Sequence, residues 1–497
     1  MADERRPGVA THSVRFLTGN VLGMIVGFVS FPIMTRLLDT KEYGIFGVYD
    51  VWLAALVAIF KFGAQHAILR FYPHTGGEKA FERYGTSVIA APFLTACICW
   101  LLALGIHFVI VQLALPESVG IGWLMLALLP PTIWISYANS YLLAIDRSDL
   151  LVCVTVGQRL FEAGAVLALV YFVSRSAISV YGGRLLVTVG LASILGVWML
   201  RRLHVSRRNF KGVLYRQSLA YGLPLSANEI SGLLLAFIDR IMLLHILGNF
   251  AAVGVYTIGY GLAMNTSYLL NNAMNIAYSQ VSIREFEMYG AAAVVRTKRA
   301  LLHVFVYVIV VIIVGLVCVG KDALLLLAGD KNAASAPVFI VVGITYVLDS
   351  ILGICGSGLL LHKRSSTVFA LTLTFLLFNV LLNWFWIPLF GSMGAAYATL
   401  VCYVGLRLVS YFFCPAELRA LPDFRSTSTA VVLGALLWVL ATYTRLFDLT
   451  SHLARLGCMA VMILVVYVGL ALLLDRQLRQ SVFDYLHGLR LSNTGVG

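Results

Sequence analysis

Long apolar runs, each bounded by charged or turn-forming residues, recur from one end of the chain to the other. The first complete example is FLTGNVLGMIVGFVSFPIM, residues 16–34. A helix rises about 1.5 Å per residue, so roughly 20 apolar residues cross the hydrocarbon core of a bilayer. The pattern therefore predicts an all-α polytopic membrane protein with about 14 transmembrane helices. The predicted spans are residues 14–38, 44–70, 84–113, 119–145, 150–173, 178–200, 216–247, 250–283, 298–320, 334–361, 365–389, 392–414, 427–445 and 453–474.

Composition and charge agree with this prediction and orient the spans. Of the 497 residues, 60% are hydrophobic and 12% are charged, whereas about a quarter of the residues in a globular domain are charged. With the N-terminus in the cytoplasm, the inside loops hold about 24 Lys and Arg and the outside loops about 6. An excess of Lys and Arg in the cytoplasmic loops is typical of membrane proteins. We therefore expect a multi-pass protein of the cell inner membrane with both termini cytoplasmic. The net charge of +13 follows from this bias and indicates membrane lipids, not nucleic acid, as partners.

A short pattern occurs twice, six spans apart. TRLLDTKEYGIFGVYD (residues 35–50) joins the first two spans, and HILGNFAAVGVYTIGY (residues 245–260) joins the seventh and eighth. Both pass from a leucine-rich helix end through a polar turn into Gly-x-aromatic. Because six is even, the two copies have the same orientation, as in transporters built from parallel repeats. The repeat predicts two pseudo-symmetric six-helix lobes, residues 1–213 and 214–420, with a cavity between them. Residues 421–497 would add two extra spans and a cytoplasmic tail.

Three segments resemble a known family. YGLPLSANEISGLLLAFIDRIMLLHILGNFAAVGVYTIGY (residues 221–260) resembles the seventh–eighth helix signature of Wzx-type polysaccharide flippases, which belong to the multidrug/oligosaccharidyl-lipid/polysaccharide exporter superfamily. FKFGAQHAILRFYP (residues 60–73) is similar to the family's second-helix ending, and PIMTRLLDTKEYGIFGVYD (residues 32–50) to its first turn.

The resemblance implies a two-lobed transporter that flips polyprenyl-diphosphate-linked oligosaccharide repeat units by alternating access. Such a protein would serve the synthesis of lipopolysaccharide or exopolysaccharide. Its expected cargo is a lipid-linked oligosaccharide, and its candidate protein partners are a polymerase and a chain-length regulator. The family's cargo varies, so the resemblance does not identify the sugar.

Ionisable side chains inside the predicted spans are candidates for the transport site, because a charge within the bilayer costs several kcal/mol unless it faces a partner or water. Cationic side chains in a cavity would stabilise an anionic diphosphate headgroup. A polar stripe on the eighth span suggests a cavity wall or an interhelical seam. The candidate substrate-binding residues are Lys61, Arg159, Arg240, Arg407, Asn265 and Asn272.

Acidic residues in the spans could couple transport to H⁺ or Na⁺ by binding the ion in one conformation only. The candidate ion-coupling residues are Asp50, Glu229, Asp239 and Asp349. No other cofactor is expected.

Ordinary ion pairing is the alternative for several of these charges. Arg159 could pair with Glu162, and Asp239 with Arg240 or with another helix, without any role in transport. Arg240 also stands at the Asp-Arg position of the family that the chain resembles. Lys61 has no nearby acidic residue in its own helix, which favours a position in a cavity.

Two further patterns concern the shape of the spans. At 100° per residue, Asp50, Lys61 and Gln65 share one face of the second span, which predicts a water-lined surface. Pro32 and Pro224 lie in the first and seventh spans and predict discontinuities there.

Other classes of function are less well supported. A multidrug antiporter of the same fold would carry cations, but the basic and acidic residues within the spans are nearly balanced, so the resemblance favours the flippase. A membrane polysaccharide polymerase needs a sizeable outside loop with catalytic residues, and segments such as VGKDALLLLAGDKNAAS are short. We therefore expect a transporter and not an enzyme. There is no GxxxxGK[ST] pattern for ATP, and the eight cysteines form no CxxC pair, so neither a metal site nor a disulfide framework is expected.

Overall fold

The computed structural model describes residues 9–75, 77–113, 119–362, 364–444, 449, 451–480 and 483, with side chains for all of these except 9–21, 110–113, 119, 267–277 and 279–280. Within these ranges all regular structure is helical. The principal α-helices are α1 (Val9–Leu37), α2 (Thr40–Phe60), α3 (Ala64–Arg70), α4 (Glu78–Tyr84), α5 (Ala91–Leu113), α6 (Val119–Ala144), α7 (Ser148–Phe172), α8 (Ala177–Leu203), α9 (Gly212–Leu247), α10 (Phe250–Tyr289), α11 (Ala291–Ala328), α12 (Ala336–Cys355), α13 (Ser365–Phe390), α14 (Ser392–Phe413), α15 (Phe424–Tyr443), α16 (His452–Met462) and α17 (Gly469–Leu474).

Each predicted span coincides with a helix or with consecutive helices. Among the described residues, 12 helical segments are long and apolar enough to cross a membrane. Two more helices, α1 with 29 residues and α10 with 40, occupy the predicted first and eighth spans. The predicted class, an all-helical multi-pass membrane protein, is confirmed.

Three spans are composite. The second consists of α2 and α3, which are separated by a three-residue turn. The third passes from α4 through a π-helical segment, Gly85–Ala90, into α5, and the last passes from α16 through a second one, Ile463–Val468, into α17. Such i→i+5 segments lie inside longer helices and often mark functional positions.

Residues 1–254 form one of two compact units of the chain. In this unit α1 packs on α7, α7 and α6 pack on α8, and both α2 and α3 pack on α6 and α9. Its core contains four tyrosines with at most 1% exposure: Tyr84, Tyr137, Tyr141 and Tyr181. The unit extends beyond the predicted lobe 1–213 because α9 packs against α2 and α3. The lobes were defined by the repeat, and that assignment stays a prediction.

The two glycines of the repeated turn lie against each other's helix. A Cβ atom at Gly44 on α2 would overlap the carbonyl oxygen of Phe250, four residues before Gly254. A Cβ atom at Gly254 would overlap the carbonyl oxygen of Thr40, four residues before Gly44. The contact is therefore reciprocal, and each glycine permits a backbone approach that a side chain would prevent.

Residues 255–497 form the second unit, which is organised around α11. This helix packs on α12, α15 and α16, while α14 packs on both α12 and α13. The two extra spans predicted at the C-terminal end, α15 and the α16–α17 pair, share one hydrophobic core with α11 and α12.

Polar contacts join the last span to α11 at both of its ends. At the end where α16 begins, Asp322 Oδ1 lies 2.7 Å from His452 Nδ1 and accepts a hydrogen bond of 2.7 Å from Arg455 Nη1. At the end where α17 finishes, Tyr307 Oη donates to Asp475 Oδ2 at 2.8 Å, and His303 Nε2 lies 3.1 Å from the same oxygen.

The carboxyl group of Asp475 makes this second junction dependent on pH. Burial raises its pKa, but backbone N–H donation from Leu478 and the Tyr307 hydroxyl bond outweigh burial, so the pKa lies below its usual value. A carboxyl group with a depressed pKa in the folded state stabilises the protein above its unfolded-state pKa of about 3.9. That contribution is lost as the pH falls through the lower, folded-state pKa.

We expect Asp475→Asn to lower the free energy of unfolding at pH 7 by about 1.5–3 kcal/mol, which is what a hydrogen bond to a charged group contributes. The difference from the unmodified protein should shrink below about pH 4. Thermal unfolding of the detergent-solubilised protein at both pH values measures it. Asp330→Asn, at an exposed carboxylate, is the control. An equal difference at the two pH values would contradict the prediction.

Candidate substrate-binding site

The second span breaks at Lys61. Helix α2 ends at Phe60 and α3 begins at Ala64, and between them Phe62 and Gly63 adopt positive φ angles of 50° and 69°. Such a conformation stops a helix and is easily reached by glycine. Discontinuous membrane helices expose backbone groups and often form the binding sites of transporters.

Two elements hold the break in place. Tyr137 on α6 is fully buried and donates a hydrogen bond of 2.9 Å to the carbonyl oxygen of Lys61. On the other side, Gly63 meets Gly222 of α9: a Cβ atom at Gly222 would lie 2.6 Å from the carbonyl oxygen of Gly63. Seven residues further along α9, two helical turns away and on the same face, stands Glu229.

Glu229 lies within hydrogen-bond distance of the broken segment. Lys61 Nζ donates to its Oε1 at 3.0 Å, and Gln65 Nε2 donates to its Oε2 at 2.8 Å. His66 Nε2 lies 3.5 Å from Oε2. The Lys61 side chain is 11% exposed and that of Glu229 is 38% exposed. Lys61 thus has no nearby acidic residue in its own helix, as the sequence indicated, but it pairs with a candidate ion-coupling residue from the seventh span.

Asp50 lies in a different environment. Its Oδ1 accepts a hydrogen bond of 2.6 Å from Arg184 Nη1 on α8, and the guanidinium lies 4.9 Å from the ring centre of Phe46. The predicted common face for Asp50, Lys61 and Gln65 assumed one continuous helix. The backbone of Lys61 is still right-handed helical, so the assumption fails only for Gln65, which lies beyond the turn at Phe62 and Gly63. Asp50 pairs with α8, whereas Lys61 pairs with α9.

Arg159 on α7 is exposed, and its guanidinium lies against Gly23 of α1. The alternative pairing with Glu162 is not formed. Glu162 Oε1 instead accepts hydrogen bonds from Gln158 Nε2 at 2.9 Å and Thr188 Oγ1 at 3.1 Å. The Arg159 guanidinium therefore forms no ion pair with Glu162 and lies where α1 packs on α7.

Asp239 and Arg240 are consecutive and buried on α9, with exposures of 0% and 7%. The Arg240 guanidinium lies 4.9 Å from the ring centre of Phe237 in a cation–π contact. Both charged side chains are therefore buried in the protein interior.

The second unit holds the remaining candidates. Arg407 on α14 contacts Asp349 on α12 through two hydrogen bonds, from Nε to Oδ1 at 2.6 Å and from Nη2 to Oδ2 at 3.1 Å. Asn265 on α10 is half-buried. The side chain of Asn272 lies outside the described residues.

Some residues of this arrangement were not singled out from the sequence: His66, Tyr137, and the glycines at 63 and 222. The Lys-Phe-Gly tripeptide within an apolar run is a visible signal for the break. By contrast, the contacts with Tyr137 and Gly222 depend on which helices are neighbours, and the sequence does not state that. Within the described part of the chain, no group of three or more His, Cys, Asp or Glu residues could hold a metal ion.

Solved structures share the fold over most of the chain. A structure described as lipid II flippase MurJ, inward closed conformation, has a TM-score of 0.72 at 13% identity, covering 94% of this chain and 99% of that one. An inward-facing multidrug resistance MATE family transporter of the MOP superfamily has a TM-score of 0.56 at 14% identity, covering 81% and 97%. A MOP superfamily transporter from Pyrococcus furiosus has a TM-score of 0.55 at 15% identity, covering 82% and 95%.

No curated protein sequence matches the chain. The family described as polysaccharide biosynthesis protein matches residues 13–278, just over half of the chain, and this range includes Lys61, Glu229 and Arg240. The family match confirms the predicted resemblance to a polysaccharide biosynthesis family, and the solved structures share the predicted fold. The chain belongs to the polysaccharide biosynthesis protein family.

Proposed function

We propose that the protein flips polyprenyl-diphosphate-linked oligosaccharide repeat units across the cell inner membrane by alternating access. The exported units would then be built into lipopolysaccharide or exopolysaccharide by a polymerase and a chain-length regulator. Membership of the family and the transporter fold support the class of function. The bias of Lys and Arg toward the inside loops supports cytoplasmic termini.

The observation that carries the proposal is the position of Lys61. An ammonium group inside an apolar span is costly unless it is paired or reaches water. Here the ammonium belongs to a residue at a break in the second span, whose backbone carbonyl accepts a hydrogen bond from Tyr137. The ammonium itself donates to the carboxylate of Glu229, which is more than a third exposed. An anionic diphosphate headgroup would take the same charge-assisted hydrogen bond. Arg159, Arg240 and Arg407 are proposed as further cationic contacts.

Coupling to H⁺ or Na⁺ is part of the proposal. Glu229 and Asp349 each pair with a proposed cargo cation, Lys61 and Arg407. When one of these carboxylates binds H⁺ or Na⁺, it would release the Lys or Arg side chain that is paired with it. Ion binding and cargo binding would therefore affect the same groups. Asp50 and Asp239 are proposed as further ion-coupling residues.

Deletion of the gene in its host tests the function. We expect lipid-linked oligosaccharide to accumulate on the cytoplasmic leaflet and surface polysaccharide to fall, with both restored by the unmodified gene. Sensitivity to cationic drugs should not change. Increased drug sensitivity with normal polysaccharide would favour the multidrug antiporter, and accumulation of unpolymerised units on the outer leaflet would favour a polymerase. Either result would overturn the proposal.

A further inference from the structure

Three hydrogen-bonding groups from one short segment converge on a single carboxylate. The ammonium of Lys61 and the amide of Gln65 donate to different oxygens of Glu229, and the imidazole of His66 lies beside the second oxygen. An ammonium, an amide N–H and an imidazole are also groups that bind phosphate oxygens. The segment is therefore an anion receptor that already contains an anion, supplied by the protein itself.

The Glu229 carboxylate is more accessible than the Lys61 and Gln65 donors. Lys61 and Gln65 are each 8% exposed as residues, and the turn and α6 fix their backbone, whereas the Glu229 side chain is 38% exposed. Glu229 also projects from a continuous helix on a flexible side chain, so it can rotate away without any change in the backbone of α9. The His66 side chain is 37% exposed, so an incoming anion meets the carboxylate and the imidazole before it meets Lys61 and Gln65.

Gln65 provides a second indication of a ligand. Its Oε1 atom is buried and accepts no hydrogen bond within the described part of the chain. A buried acceptor without a donor costs free energy. A hydroxyl group of the sugar attached to the diphosphate could donate to Oε1 while a phosphate oxygen accepts from Nε2, whereas a carboxylate has no donor to offer.

We propose that Lys61, Gln65 and His66 form a phosphate-binding site in which Glu229 is an internal competitor that the diphosphate of the cargo displaces. The proposal rests on the proposed function for the source of the phosphate. A diphosphate carries more charge than a carboxylate and has more acceptor oxygens, so it can accept hydrogen bonds from all three groups. A neutral lipid cannot displace Glu229. Displacement also removes a polar contact between α2–α3 and α9, so cargo binding would loosen that helix pair.

The test is binding of farnesyl diphosphate to the purified, detergent-solubilised full-length protein. A competitor that occupies the site about nine-tenths of the time lowers the apparent affinity about tenfold. We therefore expect Glu229→Gln to bind farnesyl diphosphate about tenfold more tightly than the unmodified protein. The double variant Lys61→Gln/Glu229→Gln should lose this gain. Asp149→Asn, which removes a carboxylate from the exposed ion pair with Arg147, is the matched control and should leave the affinity unchanged.

Unchanged or weaker binding by Glu229→Gln would overturn the competitor role. Glu229→Asp is the second variant in case the first does not fold: its shorter side chain cannot reach Lys61 and Gln65 together, so it should also bind more tightly. Inorganic pyrophosphate and farnesol identify the source of the affinity. Tightening for pyrophosphate but not for farnesol supports a phosphate site, whereas tightening for farnesol overturns it. If deletion cells accumulate no lipid-linked oligosaccharide but Glu229→Gln still tightens binding, the proposed function fails and the phosphate site stands.

Discussion

Replacing Lys61 with glutamine is expected to reduce export of lipid-linked oligosaccharide by at least about tenfold, with a normal amount of protein in the membrane. A hydrogen bond to a charged group contributes about 1.5–3 kcal/mol, which corresponds to about 10- to 150-fold. The amount should be normal because Glu229 is more than a third exposed and keeps the hydrogen bond from Gln65. The loss of Lys61 therefore leaves no deeply buried charge unpaired. The measurement is oligosaccharide retained on the cytoplasmic leaflet of complemented deletion cells, normalised to the amount of protein.

Two variants separate a role in transport from a role in structure. If Lys61 serves only to neutralise Glu229, the double variant Lys61→Gln/Glu229→Gln should restore export, and we expect that it does not. Arg147→Gln removes a cation from an exposed pair with Asp149 at 3.1 Å and should export normally. Full export by Lys61→Gln would remove this residue from the site.

The spans could be predicted from the sequence because their signal is local. A run of about 20 apolar residues identifies a transmembrane helix without any knowledge of its neighbours. The same holds for the last two spans, α15 and the α16–α17 pair. The pairing of charges, by contrast, depends on contacts between residues that are far apart in the sequence. Lys61 and Glu229 were both identified as intramembrane charges, but they are 168 residues apart, and only the packing of α2 and α3 on α9 brings them together.

The break in the second span shows another limit of sequence patterns. Proline predicted discontinuities in the first and seventh spans, yet Pro32 and Pro224 lie inside continuous helices α1 and α9. In membrane helices the backbone groups that proline frees are often satisfied by neighbouring groups. The break occurs instead at Gly63, where a positive φ angle and the approach of another backbone both require a residue without a side chain. The first requirement is local, but the second depends on tertiary structure.

Substitution of Gly222 by alanine is expected to destabilise the protein and reduce export. The added Cβ atom would lie 2.6 Å from the carbonyl oxygen of Gly63 and 3.0 Å from that of Phe62. Both are backbone atoms, so α9 or the turn must move, and overpacking of this kind costs about 1–3 kcal/mol. That movement would also separate Glu229 from Lys61, because Glu229 lies two turns further along the same face of α9. Gly63→Ala should have a larger effect, because a left-handed conformation adds about 1–2 kcal/mol for a residue with a side chain.

Gly232→Ala is the matched control for Gly222→Ala, because it makes the same chemical change on the same helix with no atom within 4 Å of the added Cβ. Without a steric conflict, alanine stabilises a helix relative to glycine by roughly 0.5–1 kcal/mol, so the two variants should shift the unfolding temperature in opposite directions. Thermal unfolding in detergent and export by complemented cells provide the two measurements. If Gly222→Ala matched Gly232→Ala in both, the close approach of α9 to the break would not be what holds Glu229 against Lys61. If Gly222→Ala lost export but kept its stability, the crossing would serve to position Glu229, and tight packing there would matter for transport more than for folding.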